Sequence, residues 1–252
     1  FAFAADMPKW NTENPAVQDY LIGTAAEWTR KYGVDAWRLD VPDEVSFRFL
    51  EHFKKRIRET NPEAYIIGEI WQKSTAWLRA GVFDGAMDYP LYFAIRDFAM
   101  KRTDGVETFA ERIKDVFLSA PDCVRPRQLA FCGNHDIPRP LTVCGGDTDR
   151  LAAALFSQML LGGAVSIYYG DELGMSGGED PANRGAMAWG EQSDGIKPLY
   201  ISMIRFKEEH RGEMNVTEMR VQDGVLRLTF SGGDYMLSLI HISEPTRLGM
   251  IS

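Results

Sequence analysis

The stretch YGVDAWRLDVPDEV, residues 32–45, is the part of the sequence that most strongly indicates the fold. Its centre, DAWRLD at 35–40, reads as a short strand that ends in charged residues. Residues two apart on a strand share a face, so Arg38 and Asp40 point the same way. Pro42 ends the strand, because proline has no N–H to donate to a neighbouring strand. The stretch therefore predicts a strand with a cation and a carboxylate together at its C-terminal end.

Similar short strands follow along the chain and alternate with helices. The predicted strands are apolar runs at 35–40, 64–69, 83–89, 129–134 and 164–170. Apolar residues at helical spacing predict helices at about 15–33, 49–57, 109–117, 148–161 and 199–210. Short, nearly unbroken apolar strands that alternate with helices are typical of a parallel sheet covered by helices. The predicted fold class is therefore α/β.

The ends of these strands narrow the choice of α/β fold. Polar groups follow the strands at Asp40, Glu69, Asp88 and the NHD sequence at 134–136. A (β/α)8 TIM barrel builds its active site at this end of its strands, whereas a doubly wound sheet has a glycine-rich phosphate turn after its first strand, which this sequence lacks. The predicted strands are too few to close an eight-stranded barrel. We therefore expect a partial (β/α)8 TIM barrel made of about its last five strand-helix units.

The last part of the chain follows a different pattern. From Val216 the residues alternate with a period of two, interrupted by turn sequences at 223–224 and 232–233. This predicts the start of a C-terminal antiparallel β domain over 214–236. The final stretch, LSLIHISEPTRLGMIS at 237–252, resembles the translated read-through of a sequencing adaptor, and we expect it to be non-native.

The composition of the 252 residues argues against several classes of protein. With 45% hydrophobic and 25% charged residues, the chain has the make-up of a globular domain. A formal net charge of −8 argues against nucleic acid as a partner, and no apolar run is long enough without interruption to span a membrane. Three cysteines without CxxC spacing predict buried free thiols rather than a metal site or a disulfide framework, which favours a reducing compartment, the cytoplasm.

Two carboxyl groups at neighbouring strand ends point to glycosidase chemistry. Arg38 would hold Asp40 as an anion that can act as a nucleophile. Glu69 follows the apolar run YIIG, where burial should raise its pKa and keep it protonated. Adjacent parallel strands lie about 4.8 Å apart, close to the ~5 to 5.5 Å between the carboxyls of a retaining glycosidase. The plainer alternatives are a structural ion pair for Asp40, and a helix cap or a salt bridge for Glu69.

Another strand end carries His135 and Asp136. A His–Asp pair is often only structural, and it lacks the further ligands that zinc requires. In a sugar site, the imidazole could hydrogen-bond ring hydroxyls, and the carboxylate could offset the positive charge of an oxocarbenium-like transition state. Trp10, Trp71 and Tyr89 either offer flat faces for stacking on a pyranose ring or belong to the core.

Three stretches, DAWRLDVPDEV, IIGEIW and FCGNHDIPR, together resemble the sequence regions of glycoside hydrolase family 13, the α-amylase family. The resemblance runs from residue 1 to about 236. It implies that Asp40 is the nucleophile, Glu69 the general acid/base and Asp136 the stabiliser of the transition state. It further implies that Arg38 contacts the nucleophile and that His135 contacts the sugar before the scissile bond.

A finer resemblance comes from MPKWN (7–11), from residues 68–90 and from IYYGDELGMSGGEDPANR (167–184). These stretches look like the neopullulanase, cyclomaltodextrinase and maltogenic amylase subfamily, whose substrates are cyclodextrins, pullulan and other α-1,4-linked glucans. Further substrate contacts are implied for Glu44, Trp71 and Arg139. The chain departs from the pattern at VPDE, where the family usually reads VANE, and in a stretch that more often reads MNYP, where this chain has MDYP.

The resemblance also implies a domain plan. The MPKLN-like element lies at the end of domain B, which is inserted after the third barrel strand. Residues 1–12 then end domain B, 13–213 form the C-terminal part of the catalytic barrel, 214–236 begin a C-terminal β domain, and 237–252 are the read-through tail. We expect a chain truncated at its N-terminus, from a parent enzyme that could form a homodimer.

The resemblance leaves three interpretations of function open. The leading one is a retaining α-glucan hydrolase that requires no cofactor. Calcium binding occurs in the family, but the segment expected to supply its ligands is missing. The second interpretation is an α-1,6-glucosidase or a sucrose-type enzyme of the same family, and the third is a non-catalytic amylase-like scaffold.

Overall fold

The computed structural model describes residues 8–190, 195–212 and 215–238, with side chains described up to residue 233. Most of the segment predicted to end domain B, residues 1–7, and the predicted tail from residue 239 lie outside the described residues. The chain divides into two compact units. The first comprises Phe1–Met87 and Ser119–Gln128, and the second comprises Asp88–Leu118 and Leu129–Ser252.

The first unit alternates parallel strands with helices. In chain order it contains α1 (Pro15–Tyr32), β1 (Ala36–Leu39), α2 (Phe47–Thr60), β2 (Tyr65–Gly68), α3 (Thr75–Arg79) and β3 (Gly85–Ala86). The strands form one sheet in the order β1-β2-β3. The prediction from sequence missed α3, because a helix of one turn is too short to show an apolar period.

Local sequence sets both ends of α1. Asn14 caps the helix by accepting a hydrogen bond from the Ala16 backbone N–H at 2.9 Å, and Pro15 lies in the first turn, where a backbone N–H has no partner within the helix. Gly33 ends the helix in the left-handed conformation, with φ 62°. These ends are the ones that the sequence predicts.

The strand β1 presents one face to an apolar core. Trp37 packs against this core with its ring centroid 6.1 Å from that of Phe53, and its indole N–H donates to the Thr29 hydroxyl at 2.9 Å. Leu39 packs on the same cluster. Because side chains alternate along a strand, this placement directs Arg38 to the opposite face, as predicted.

The second unit contains a further pair of parallel strands. Its elements are α4 (Tyr89–Ile95), a π-helical turn (Arg96–Met100), α5 (Val106–Ser119), β4 (Leu129–Phe131), α6 (Pro140–Val143), α7 (Thr148–Leu161), β5 (Ala164–Ser166) and α8 (Ile196–Glu209). β4 pairs with β5 in parallel, with Leu129 opposite Ala164. α7 has the limits that the sequence predicts.

The second unit ends in an antiparallel sheet, as predicted. β6 (Val216–Gln222), β7 (Val225–Phe230) and β8 (Gly233–Ser238) are paired in the order β6-β7-β8. Asp223 and Gly224 form the first turn with φ values of 52° and 72°. β8 continues to Ser238, past the predicted boundary at residue 236.

All five predicted parallel strands are present, each shorter than its apolar run. In the described part of the chain they form a sheet of three strands and a sheet of two. Their assignment to the last five units of a barrel stays a prediction. In the same part of the chain, no helix is both long and apolar enough to cross a membrane.

The cysteines agree with the prediction at two of three positions. Cys132 and Cys144 are free and buried. Cys123 is free but exposed, so the prediction of a buried thiol is wrong there. It lies in the stretch between α5 and β4.

Candidate active site

In the first unit, Arg38 joins the two predicted catalytic carboxyls. Leu39 lies opposite Gly68 in the register of β1 and β2, and the Glu69 backbone N–H donates to the Leu39 carbonyl at 3.0 Å. This register brings the ends of the two strands side by side. Arg38 Nη1 lies 2.5 Å from Asp40 Oδ1, and its Nη2 lies 2.9 Å from Glu69 Oε1. One guanidinium therefore contacts both carboxyl groups, which lie at neighbouring strand ends.

The two carboxyl groups have different surroundings. The Glu69 side chain is 3% exposed, whereas the Asp40 side chain is 73% exposed. Burial raises the pKa of Glu69, and the Arg38 charge is the main opposing effect. The prediction of a raised pKa for Glu69 is confirmed in direction and in cause. The salt bridge named as an alternative for Glu69 is also present, so this carboxyl is both buried and paired.

Two further hydrogen bonds fix the orientation of the Glu69 carboxyl. The Val41 backbone N–H donates to Oε2 at 3.2 Å, and the Trp71 indole N–H donates to Oε1 at 3.3 Å. Val41 has φ 42° and ψ 49°, a left-handed conformation that a β-branched residue rarely adopts. Sequence reasoning identified the strand break at Pro42 but missed the turn at Val41, which brings its N–H to Glu69.

Other predicted contact residues in the first unit are also near its surface. Trp71 is 43% exposed and Trp10 is 61% exposed, so both present an accessible aromatic face. The Glu44 carboxylate lies 3.7 Å from the Lys9 ammonium group, which also donates to the Glu44 carbonyl. Glu44 follows Pro42 in a single 3-10 turn.

The second unit carries the NHD sequence just after β4. His135 Nε2 lies 3.1 Å from Asp136 Oδ2, and Asn134 Oδ1 accepts a hydrogen bond from the Asp136 backbone N–H at 2.8 Å. Asn134 is itself held by the Tyr89 hydroxyl at 3.1 Å. Both His135 and Asp136 keep part of their side chains exposed. Tyr89 is 0% exposed. Of the two alternatives for its ring, the core position is therefore correct, and the ring cannot stack on a sugar.

Arg139 does not lie where a substrate could reach it. It is 0% exposed, and its Nη1 donates to Asp171 Oδ1 at 2.8 Å and to the Tyr169 carbonyl at 2.7 Å. The rings of Tyr168 and Tyr169 lie 4.6 Å and 4.9 Å from the guanidinium carbon. The expectation that Arg139 binds substrate is therefore corrected. This arginine forms a buried ion pair, and burial raises the pKa of its partner Asp171 to about 7.

Sequence reasoning missed two residues that contact the NHD turn. Asn183 Nδ2 donates to the carbonyls of His135 at 2.8 Å and Ile137 at 3.0 Å. Arg184 Nη2 lies 3.2 Å from Asp136 Oδ1. Both belong to the sequence DPANR at 180–184, which lies in one of the stretches that carry the subfamily resemblance. Their contacts could not be read from spacing, since 48 residues separate Arg184 from Asp136.

Across residues 8–190, 195–212 and 215–238, no three or more His, Cys, Asp or Glu side chains are grouped so as to hold a metal ion.

Comparison with known proteins gives the family. Residues 1–226 match the family described as alpha amylase, catalytic domain. The maltogenic alpha-amylase of Bacillus acidopullulyticus is 41% identical over 248 residues, which cover 95% of this chain and 42% of that protein. The cyclomaltodextrinase of Geobacillus thermopakistaniensis (strain MAS1) is 37% identical over 240 residues, which cover 93% of this chain and 40% of that protein.

A solved structure agrees with these matches. The cyclic alpha-maltosyl-(1→6)-maltose hydrolase of Arthrobacter globiformis, in complex with maltose, superposes with a TM-score of 0.86 at 27% identity, over 94% of this chain and 55% of that one. The chain spans about two fifths of the length of the two curated relatives. Since the family match covers most of its residues, the chain belongs to the α-amylase family.

Proposed function

We propose that the protein containing this chain is a retaining α-glucan hydrolase. The observation that carries the proposal is the placement of Arg38 between a largely exposed carboxylate, Asp40, and a buried carboxyl with a raised pKa, Glu69. A retaining glycosidase needs one carboxylate as nucleophile and one carboxyl that can carry a proton. The different surroundings of the two groups support this division of roles.

In the first half of the proposed reaction, Asp40 attacks the anomeric carbon of the sugar. The glycosidic bond breaks as Glu69 gives its proton to the departing oxygen, and a covalent glycosyl ester forms on Asp40. Burial raises the pKa of Glu69 and so keeps a larger share of it protonated near neutral pH. Arg38 contacts both carboxyl groups and holds them in place.

In the second half, the ionised Glu69 removes a proton from water. The resulting nucleophile attacks the anomeric carbon and releases the carboxylate of Asp40, which regenerates both groups. Two successive inversions retain the α configuration. The hydrogen bonds from Val41 and Trp71 support both steps, because they keep the Glu69 carboxyl in one orientation while its protonation changes.

For the remaining residues we propose roles in binding the sugar. Asp136 would stabilise the positive charge of the transition state, and His135 would bond a hydroxyl group. Their mutual contact at 3.1 Å and partial exposure are compatible with this. Trp71 offers an accessible aromatic face beside Glu69, and Glu44 would contact the substrate from the turn after β1.

The substrates proposed are cyclodextrins, maltooligosaccharides, pullulan or starch, cleaved at α-1,4 bonds. The similarity to a cyclomaltodextrinase and to a maltogenic alpha-amylase supports this class of substrates. We further propose that the chain supplies about the last five units of a barrel and acts in the cytoplasm, which its free thiols favour. A homodimer of the intact enzyme remains part of the proposal.

A second candidate is an enzyme that acts on α-1,6 bonds. It is favoured by the similarity to a hydrolase whose name gives a substrate with a (1→6) linkage. A non-catalytic scaffold is disfavoured, because none of the three carboxyl groups named from the resemblance is replaced.

The test is to purify the full-length gene product that contains this chain and to assay it on γ-cyclodextrin, pullulan and soluble starch. Proton NMR would follow the anomer that is released first. Release of α-anomers, fastest from the cyclodextrin, supports the retaining α-1,4 activity. Cleavage confined to α-1,6 bonds favours the second candidate, and no release from any α-glucan removes the proposal.

A further inference from the structure

Residues 177–185, called the clasp segment, form hydrogen bonds with the turn that carries His135 and Asp136. Asn183 is 0% exposed, and its amide donates to the carbonyls of His135 and Ile137 at 2.8 Å and 3.0 Å. At the start of the clasp segment, the Gly177 carbonyl accepts from the backbone N–H of residue 139 at 2.9 Å. The backbone of the turn is thus held from outside by buried hydrogen bonds.

The clasp segment also reaches the carboxylate of Asp136. Arg184 Nη2 lies 3.2 Å from Asp136 Oδ1, and its Nε donates to the His135 carbonyl at 3.0 Å. Asp180 Oδ1 lies 3.1 Å from the same Nε, so this N–H faces both the Asp180 carboxylate and the His135 carbonyl. One side chain therefore ties the carboxylate and the backbone of the turn together.

The two oxygens of Asp136 have separate partners. Oδ1 faces Arg184, and Oδ2 faces His135 at 3.1 Å. Rotation of the carboxylate would weaken both contacts, since charge-assisted hydrogen bonds depend strongly on geometry. The Arg184 side chain is 44% exposed, and an ion pair so exposed adds little to stability.

We propose that Arg184 is a positioning residue that orients the carboxylate of Asp136, with Asn183 holding the turn on which Asp136 lies. This inference rests on the function proposed above, in which Asp136 stabilises the transition state. A carboxylate that stabilises developing charge must be fixed before the reaction, because any reorganisation during the reaction adds to the barrier. Arg184 acts through Asp136. Replacing Arg184 should therefore lower the rate only in a protein that keeps the Asp136 carboxylate.

The experiment is a double-mutant cycle in the full-length gene product, with α-maltosyl fluoride and γ-cyclodextrin as substrates. The variants are Arg184→Met, Asp136→Asn and the double variant. Arg56→Met is the matched control, because Arg56 forms an exposed ion pair with Glu59 at 3.2 Å and contacts none of the site residues in the interactions described. Circular dichroism melting shows whether each variant folds.

We expect Arg184→Met to lower kcat by about 10²-fold with little change in KM, as for a misplaced catalytic group. In the Asp136→Asn background the same change should have almost no further effect. Arg184→Lys should recover part of the rate, since lysine restores the charge but not the forked contact. Arg56→Met should behave as wild type.

Three results would overturn the positioning role. They are a wild-type kcat in Arg184→Met, a rise in KM alone, and an equal loss of rate in both backgrounds, which would mean that Arg184 acts independently of Asp136. Full activity of the Asp136→Asn single variant is a different result. It would refute the role proposed for Asp136 itself, and the two failures are therefore distinguishable.

Discussion

Replacing Asp88 with asparagine should stabilise the protein, and more so as the pH rises. Asp88 caps α4, where its Oδ1 accepts a hydrogen bond from the Leu91 backbone N–H at 3.1 Å. The residue is 6% exposed. Burial raises its pKa from 3.8 to about 6, because one backbone hydrogen bond offsets only part of the desolvation of the charge.

The magnitude follows from the linkage between protonation and folding. The folded state binds this proton more tightly than the unfolded state, whose pKa is the ordinary 3.8. The stability from protonated Asp88 is therefore fully present below 3.8 and is lost as the pH rises through about 6. The loss is about 1.6 kcal/mol at pH 5 and about 3 kcal/mol at pH 8. Asparagine keeps an oxygen that can cap the helix and carries no charge.

The assay is urea unfolding of the full-length gene product and of Asp88→Asn, followed by tryptophan fluorescence at pH 5 and pH 8. The advantage of the variant should grow by about 1.4 kcal/mol between the two pH values. This difference cancels any cost of the new amide that does not depend on pH. The matched control is Asp147→Asn at the cap of α7, since hydrogen bonds from the backbone lower the pKa of Asp147. Its carboxylate is ionised at both pH values, so its effect should not change between them.

An advantage of Asp88→Asn that stays constant from pH 5 to pH 8 would refute the reasoning. It would mean that the folded protein holds Asp88 ionised throughout, and that burial does not govern this carboxyl. The same conclusion would follow if Asp147→Asn showed the same dependence on pH as Asp88→Asn.

Further predictions concern the full-length gene product and the isolated chain. Asp40→Asn should abolish turnover without lowering Tm, and retained activity would contradict its role as nucleophile. Glu69→Gln should lose activity on cyclodextrin but keep a first-turnover burst of fluoride release from α-maltosyl fluoride, because this leaving group needs no proton, and absence of the burst would contradict its role as acid. Arg139→Met should destabilise the protein by about 3–5 kcal/mol at pH 8 in urea unfolding, because it leaves Asp171 buried without its partner. The loss should be smaller at pH 5, where Asp171, with a pKa of about 7, is protonated, and a loss independent of pH would count against this account. Residues 1–236 alone should be inactive and should aggregate through unpaired strand edges, and a monomeric, active fragment in size-exclusion chromatography would disprove this.

Much of the fold could be predicted because its information is local. Apolar runs identified each parallel strand, and the cap and stop residues of α1 fixed its ends within the sequence itself. The same applies to the ion pair between Arg38 and Asp40. Arg38 and Asp40 are two residues apart on one strand, so their contact follows from the geometry of the strand alone.

The predictions that failed concern burial. Arg139 was expected to contact the substrate and is fully buried, whereas the Cys123 thiol was expected to be buried and is exposed. Burial is set by residues that pack from elsewhere in the chain, as Asp171 and the tyrosine carbonyl do around Arg139. A single sequence does not give those partners.

The sequence by itself determined the order of the parallel strands and of the longer helices, the family resemblance and the carboxyl groups at the strand ends. The tertiary structure alone decided that Val41 turns its N–H to Glu69, that Asp88 is buried and that Arg184 meets Asp136. The first set depends on residues that are neighbours along the chain, where strand and helix geometry fixes their relation. The second set depends on backbone turns and on contacts between distant segments, which form only when packing brings those segments together.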